Sequence, residues 1–144
     1  MTDLPKLKDF PARDYDKLRY SDMDTQGHVN NAVFTTLLET GRTSLLSHPD
    51  INAWNQRHYA YMIVRLEVDY RAELRWPGVV HVGTAVKSIG KSSVVLQQAL
   101  FKDDVCVVTA QSVMVQVGKT SHRPEPISDE TRAILTGLML KADA

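Results

Sequence analysis

From Val33 onward the apolar positions Val33, Phe34, Leu37, Leu38, Leu45 and Leu46 recur at helical spacing and make one broad apolar face. The spacing predicts a central helix over about Asn31 to Ser47, and Ser47-His48-Pro49-Asp50 ends it, because proline disfavours helical geometry in the residue before it. Gly41 inside this helix costs roughly 1 kcal/mol against alanine at an exposed position. A glycine kept there predicts close approach of the helix to a sheet.

Further along, the period changes from helical to alternating. Tyr61 to Tyr70 places Met62, Val64, Leu66, Val68 and Tyr70 on one face with Ile63 off it, which predicts a half-buried strand. Arg75-Trp76-Pro77-Gly78 reads as a turn, and Val79 to Ile89 as a second long strand. Gly90-Lys91 and Asp103-Asp104 are tight connections that bound a strand over Ser92 to Phe101 and lead to another over Val105 to Val117. Upstream of the helix, a first strand is expected over about Tyr15 to Ser21, after an arm of mixed charge and proline over residues 1 to 14. Residues 50 to 58 read as a short irregular or helical connector. Gly118 to Pro126 reads as a polar tail, and Ser128 as the N-cap of a last helix carrying Ile134, Leu135, Leu138 and Met139 on one face. The expected class is α+β: a curved antiparallel sheet of about five strands wrapped around one long helix, with a short C-terminal helix.

At 144 residues and 43% hydrophobic content the chain has the size of one domain, expected to span 1–144. Seventeen basic residues balance seventeen acidic ones, so no overall field favours nucleic acid or an anionic membrane. The one cysteine, Cys106, lies in an apolar strand and cannot form an internal disulfide, which suits a reducing cytoplasm. Residues 1–16 lack the apolar core of a signal peptide or membrane span, so a cytoplasmic location is expected.

Ahead of the helix, Arg19-Tyr20-Ser21-Asp22-Met23-Asp24-Thr25-Gln26-Gly27-His28-Val29-Asn30-Asn31 concentrates carboxylates, an imidazole, a glycine and capping asparagines. The first-turn N–H groups of a helix have no intrahelical partner, and its dipole adds positive character, so an oxyanion formed there would be stabilised. Asp, Gly and Asn also mark ordinary turns, so the residue types alone leave both readings open. The spacing Asp24-Thr-Gln26-Gly27-His28-Val29-Asn30-Asn31, with Phe34, Glu39 and Arg42 following, resembles the signature of the hotdog-fold acyl thioesterases. Within that superfamily it is most similar to the 4-hydroxybenzoyl-CoA thioesterase branch and its acyl-CoA and acyl-ACP thioesterase relatives.

That resemblance implies a hotdog fold and hydrolysis of an acyl-CoA or acyl-carrier-protein thioester to acid and thiol. It implies that Asp24 acts on the carbonyl, as nucleophile or as general base for water, and that the backbone N–H at Asn31, or neighbouring Asn30, polarises the thioester oxygen. Gly27 would let the loop pass close to the ligand, and a plain turn glycine is the competing reading. His28 would orient, while Gln26 departs from the asparagine that the plant acyl-ACP thioesterases have in the related run. Asp22 is the competing carboxylate, otherwise a turn or strand-end residue. Glu39 is expected to make a local ion pair with Arg42. Gly90, Lys91 and Ser92, with Lys119 and Arg123, are candidates for the pantetheine and phosphates of the substrate. The histidines His28, His48, His58, His81 and His122 show no close ligand spacing, so neither a metal nor another cofactor is expected. A dimer built edge to edge, or a tetramer, is implied as well. A hotdog hydratase or dehydratase and a non-catalytic acyl-thioester binding protein are the competing functions.

Overall fold

The computed structural model describes residues 4–51 and 53–141. The first three residues of the expected arm, Asn52 of the connector and the last three residues of the 1–144 span lie outside the described residues. Five strands, β1 (Ala12–Lys17), β2 (Tyr59–Tyr70), β3 (Val79–Ile89), β4 (Ser93–Lys102) and β5 (Val105–Gly118), form one sheet in the order β1-β3-β4-β5-β2. Every neighbouring pair is antiparallel. Helix α1 (Asn31–Leu46) lies on one face of this curved sheet, and α2 (Ala53–His58) and α3 (Asp129–Thr136) are short. This is the hotdog arrangement expected from the loop and the order of elements.

The apolar face of α1 is buried where the periodicity places it. Phe34, Leu37 and Leu38 pack with Leu18, Val80, Val82 and Leu100, while Leu45 joins Val86, Val94, Leu96 and Met114 further along the sheet. Gly41 marks the closest approach. A Cβ built there would stand 2.5 Å from Thr84 Oγ1, 2.7 Å from Val82 Cγ2 and 2.8 Å from Gln98 Nε2. Gly41→Ala therefore forces the helix off the sheet. It is expected to cost roughly 1–3 kcal/mol, the usual penalty of overpacking, and a melting curve lowered by several degrees would show it.

The two ends of the chain cover the other face of the sheet. A 3-10 turn at Leu7–Asp9 leads Phe10 onto Gly83 and edge-on against Phe101, with Ala85, Ala99 and Leu140 around them. The described part of the expected arm is thus packed structure. The first strand also differs from expectation: it runs from Ala12 to Lys17 and stops before the loop. Leu18 is drawn into the core, its N–H bonded to the Gly78 carbonyl at 2.9 Å, and a second 3-10 turn at Tyr20–Asp22 delivers the chain to the loop.

Strand β2 carries the largest correction. Its pairing with β5 shifts between Ile63 and Arg65, so Val64 is an extra, bulged residue. A bulge reverses the parity of alternation. Ile63 pairs with buried Met114, and Leu66 and Val68 pair with buried Ser112 and Ala110, so these three share the helix-facing side. Met62 and Val64 are instead 55% and 62% exposed, off the face expected of them. At the C-terminus Ser128 caps α3 by accepting the Thr131 N–H at 3.1 Å. The helix ends at Thr136, so Leu138 and Met139 belong to the following segment, where the Leu138 carbonyl accepts the Val86 N–H at 2.8 Å. Among the described residues no helix is long and apolar enough to cross a membrane.

Candidate active site at the N-terminus of the central helix

Local hydrogen bonds shape the polar loop. Met23 and Val29 bridge antiparallel, the Asp24 N–H donates to the His28 carbonyl at 3.0 Å, and the Gly27 N–H donates to the Asp24 carbonyl at 3.2 Å. This closes a tight turn whose backbone requires φ +83° at Gly27, a left-handed geometry that glycine adopts without strain. The turn reading of Gly27 is the one its backbone supports. Arg75 Nη1 donates to the Gly27 carbonyl at 3.0 Å, and its Nη2 holds Glu73 at 2.7 Å. That hydrogen bond and the charge of Arg75, with a smaller contribution from His28, hold the Glu73 carboxyl below the usual carboxylate range. The Val29 N–H donates to the Leu74 carbonyl at 2.7 Å and the Trp76 N–H to Met23 Sδ at 3.3 Å, so the loop is fastened to the β2–β3 connection at three points.

The two loop carboxylates have different surroundings. Asp22 is buried, and its carboxylate accepts the Arg19 N–H at 2.8 Å and the Arg19 guanidinium at 3.0 and 3.3 Å. Its own carbonyl accepts the Asn30 N–H at 3.0 Å. Asp22 thus closes the 3-10 turn and anchors the approach to α1. Asp24 is more open: Oδ1 accepts the Gln26 N–H at 2.8 Å, while Oδ2 lies 3.9 Å from His28 Nδ1. Side-chain exposures of 24% for Asp24 and 32% for His28 leave both within reach of a ligand.

The start of α1 divides its first N–H groups unequally. Asn30 is the N-cap, its Oδ1 accepting the Ala32 N–H at 2.9 Å, and the Val33 N–H bonds to the Asn30 carbonyl at 2.9 Å. The Asn30 N–H, the alternative donor, is bonded to the Asp22 carbonyl. The Asn31 N–H has no hydrogen-bond partner among the described residues. Asn31 lines a cavity of about 300 Å³ together with His28, Val29, Phe34, Tyr70 and Glu73. Phe34 and Tyr70 meet edge-on at 5.2 Å between ring centroids, forming an aromatic wall. His28, which lines the cavity, has Nδ1 3.9 Å from Asp24 Oδ2, and Asp24 itself is not among the lining residues.

Other residues expected at the site are placed elsewhere in the single chain. Gly90, Lys91 and Ser92 lie at the far end of β3, roughly 30 Å from its start at 3.3 Å per residue. There the carbonyls of Gly90 and Lys91 accept hydrogen bonds from Arg132 and from the Ile127 N–H. Arg123 is at that same end, its carbonyl accepting the Gly118 N–H, and Lys119 Nζ donates to the Gln56 carbonyl at 3.0 Å. One chain therefore does not bring these groups to the Asp24 loop. The expected Glu39–Arg42 ion pair is not formed either: Arg42 turns inward, only 6% exposed, with Nη1 3.5 Å from Gln98 Oε1. Burial lowers its basicity and the nearby Glu39 charge opposes that shift. Glu73, Tyr70 and Arg75 are site residues that the sequence reading missed. Among the described residues no group of three or more His, Cys, Asp or Glu side chains converges as metal ligands would.

Comparison with known families matches residues 18–135 to the thioesterase-like superfamily, and the chain belongs to that superfamily. Solved structures share its fold. The PA5185 protein of Pseudomonas aeruginosa superimposes with a TM-score of 0.83 at 26% identity, over 94% of this chain and 96% of that one. A predicted thioesterase from Bacillus stearothermophilus gives 0.79 at 28% identity, over 90% and 97%. A thioesterase from Thermus thermophilus complexed with coenzyme A and Zn gives 0.78 at 27% identity, over 91% and 96%. Comparison with curated proteins gives no match.

Proposed function

We propose that the protein hydrolyses an acyl-CoA thioester to a free acid and a thiol at the Asp24–His28 loop. The observation that carries the reading is the unspent Asn31 N–H at the start of α1, which opens onto the cavity that His28 lines, with Asp24 behind it at 3.9 Å. A thioester carbonyl directed at that N–H would have its developing oxyanion stabilised by the donor and the helix dipole. Asp24 then takes a proton from water as the water attacks the carbonyl, or attacks the carbonyl itself to give a mixed anhydride that water hydrolyses. Either way the C–S bond breaks, the CoA sulfur leaves as a thiolate that is protonated to the thiol, and His28 orients the reacting partner. A second reading comes from the lining of the cavity: His28 takes the proton from water, and Asp24 holds the imidazole. His28→Gln separates them, being mild in the first case and as damaging as the loss of Asp24 in the second.

Coenzyme A is favoured over a carrier protein because the Thermus relative is complexed with coenzyme A. Steady-state rates on one acyl group carried by CoA and by acyl carrier protein test this. A lower KM on CoA is expected, and preference for the carrier protein would reverse the assignment.

We also propose that the protein works as a homodimer or a higher assembly of such dimers. Strand β2 is a sheet edge, and Met62, Ile63 and Val64 expose a run of apolar side chains there, an arrangement that a monomer would leave open to aggregation. Pairing two β2 edges would cover it with twofold symmetry. Light scattering at micromolar concentration is expected to give at least twice the mass of one chain. A particle of single-chain mass would contradict the assembly.

A further inference from the structure

The cavity at the other end of α1 holds a buried cation whose charge no carboxylate among the described residues meets in an ion pair. Arg42 is 6% exposed, none of the described ion pairs includes it, and its side-chain hydrogen bond is the long one to Gln98. Leaving a guanidinium out of water without a close counter-charge is costly. Arg42 lines a cavity of about 420 Å³ with Glu39, Tyr61, Ile63, Met114 and Lys119. The formal charges on Glu39, Arg42 and Lys119 leave one positive charge unmatched. Tyr61 donates its hydroxyl to Gln116 Oε1 at 3.0 Å, and its burial pushes the phenol up to about 12, so it stays neutral beside the cations.

The bulge at Val64 puts one lining residue of each cavity on the same side of β2. It sets Ile63, Leu66, Val68 and Tyr70 on the helix-facing side of β2; Ile63 lines the Arg42 cavity and Tyr70 lines the cavity at Asn31. Leu66 and Val68, half-buried against the core, lie between them on the same side of the strand, so a row of apolar side chains extends along β2 from one cavity towards the other. Asn31 and Arg42 are separated by roughly 16 Å along the helix axis at 1.5 Å per residue. We infer that the acyl group is a long chain ending in a carboxylate, its apolar stem along this row and its terminal carboxylate paired with Arg42, with Lys119 at the rim. A guanidinium suits this role because its planar fork matches a carboxylate.

The inference rests on the thioesterase reading for the position of the thioester, and its test separates the two. A straight-chain acyl-CoA and the ω-carboxy acyl-CoA of the same length are compared by thiol release, and binding of the free dicarboxylic acid is measured by calorimetry. The expected result is a preference of tenfold or more in kcat/KM for the ω-carboxy substrate. Arg42→Met is expected to abolish it, mainly through KM, and Lys119→Met to reduce it a few-fold. Should Arg42→Met fail to fold, Lys119→Met carries the test, since Lys119 is a surface residue. Equal or better turnover of the plain substrate, or a preference unchanged in both variants, overturns the inference and leaves the thioesterase reading intact. Dicarboxylate binding that depends on Arg42, without turnover of either thioester, keeps the anion site and overturns the thioesterase reading. Neither turnover nor binding overturns both.

Discussion

Asp24→Asn is expected to lower turnover by a factor on the order of 10² or more, the usual worth of a general base, with little change in melting temperature. The substitution is almost isosteric, and the amide oxygen still accepts the Gln26 N–H that Oδ1 holds at 2.8 Å, so the turn survives. What is lost is the negative charge that faces His28 at 3.9 Å, the charge proposed to act on water or the carbonyl. Asp22→Asn makes the contrast. Its carboxylate accepts the Arg19 backbone and guanidinium groups while nearly buried, so the damage should appear mainly as a lower melting temperature. A folded Asp24→Asn protein with near-normal turnover would remove Asp24 from the chemistry and make Glu39 the next carboxylate to test.

Asn31→Pro is expected to lower turnover by roughly 10²–10³, the cost of removing one oxyanion donor, again without unfolding. Asn31 is the first residue of α1, the position where proline is well tolerated because the N–H it lacks has no helical partner. Asn30 precedes it at φ −63° and ψ 141°, the extended geometry that a residue before proline prefers. The Ala32 N–H remains capped by the Asn30 side chain. Asn31→Ala keeps the N–H and should lose far less. Equal rates for the proline and alanine variants would place the oxyanion elsewhere.

Local pattern was enough for the loop, the central helix and the strand succession, since each is encoded within a few residues of itself. The helical period from Val33 to Leu46 and the short turn at Asp103-Asp104, where both residues adopt positive φ, needed no knowledge of distant contacts. Parity in β2 was different. Tyr61, Met62, Ile63 and Val64 are all apolar, so the pattern tolerates either face, and the register with β5 decides. Sequence spacing offers Arg42 only the local partner Glu39, because Gln98, which meets it beneath the helix, is far along the chain. The same distance hid Arg75, whose link to Gly27 joins the β2–β3 connection to the loop. The turn at Gly90 to Ser92 carries no local signal of which end of the sheet it occupies, and strand pairing places it at the opposite end of β3 from the loop.

The most direct measurement of the central claim is product stoichiometry. Wild-type protein is incubated with a long-chain acyl-CoA, and free thiol and free acid are quantified together over time. One thiol and one acid per thioester consumed are expected, formed over many turnovers and suppressed in the Asp24→Asn protein. Absence of thiol release from short, long and aromatic acyl-CoAs and from acyl carrier proteins, by folded protein, would contradict it and leave a protein that binds thioesters without cleaving them.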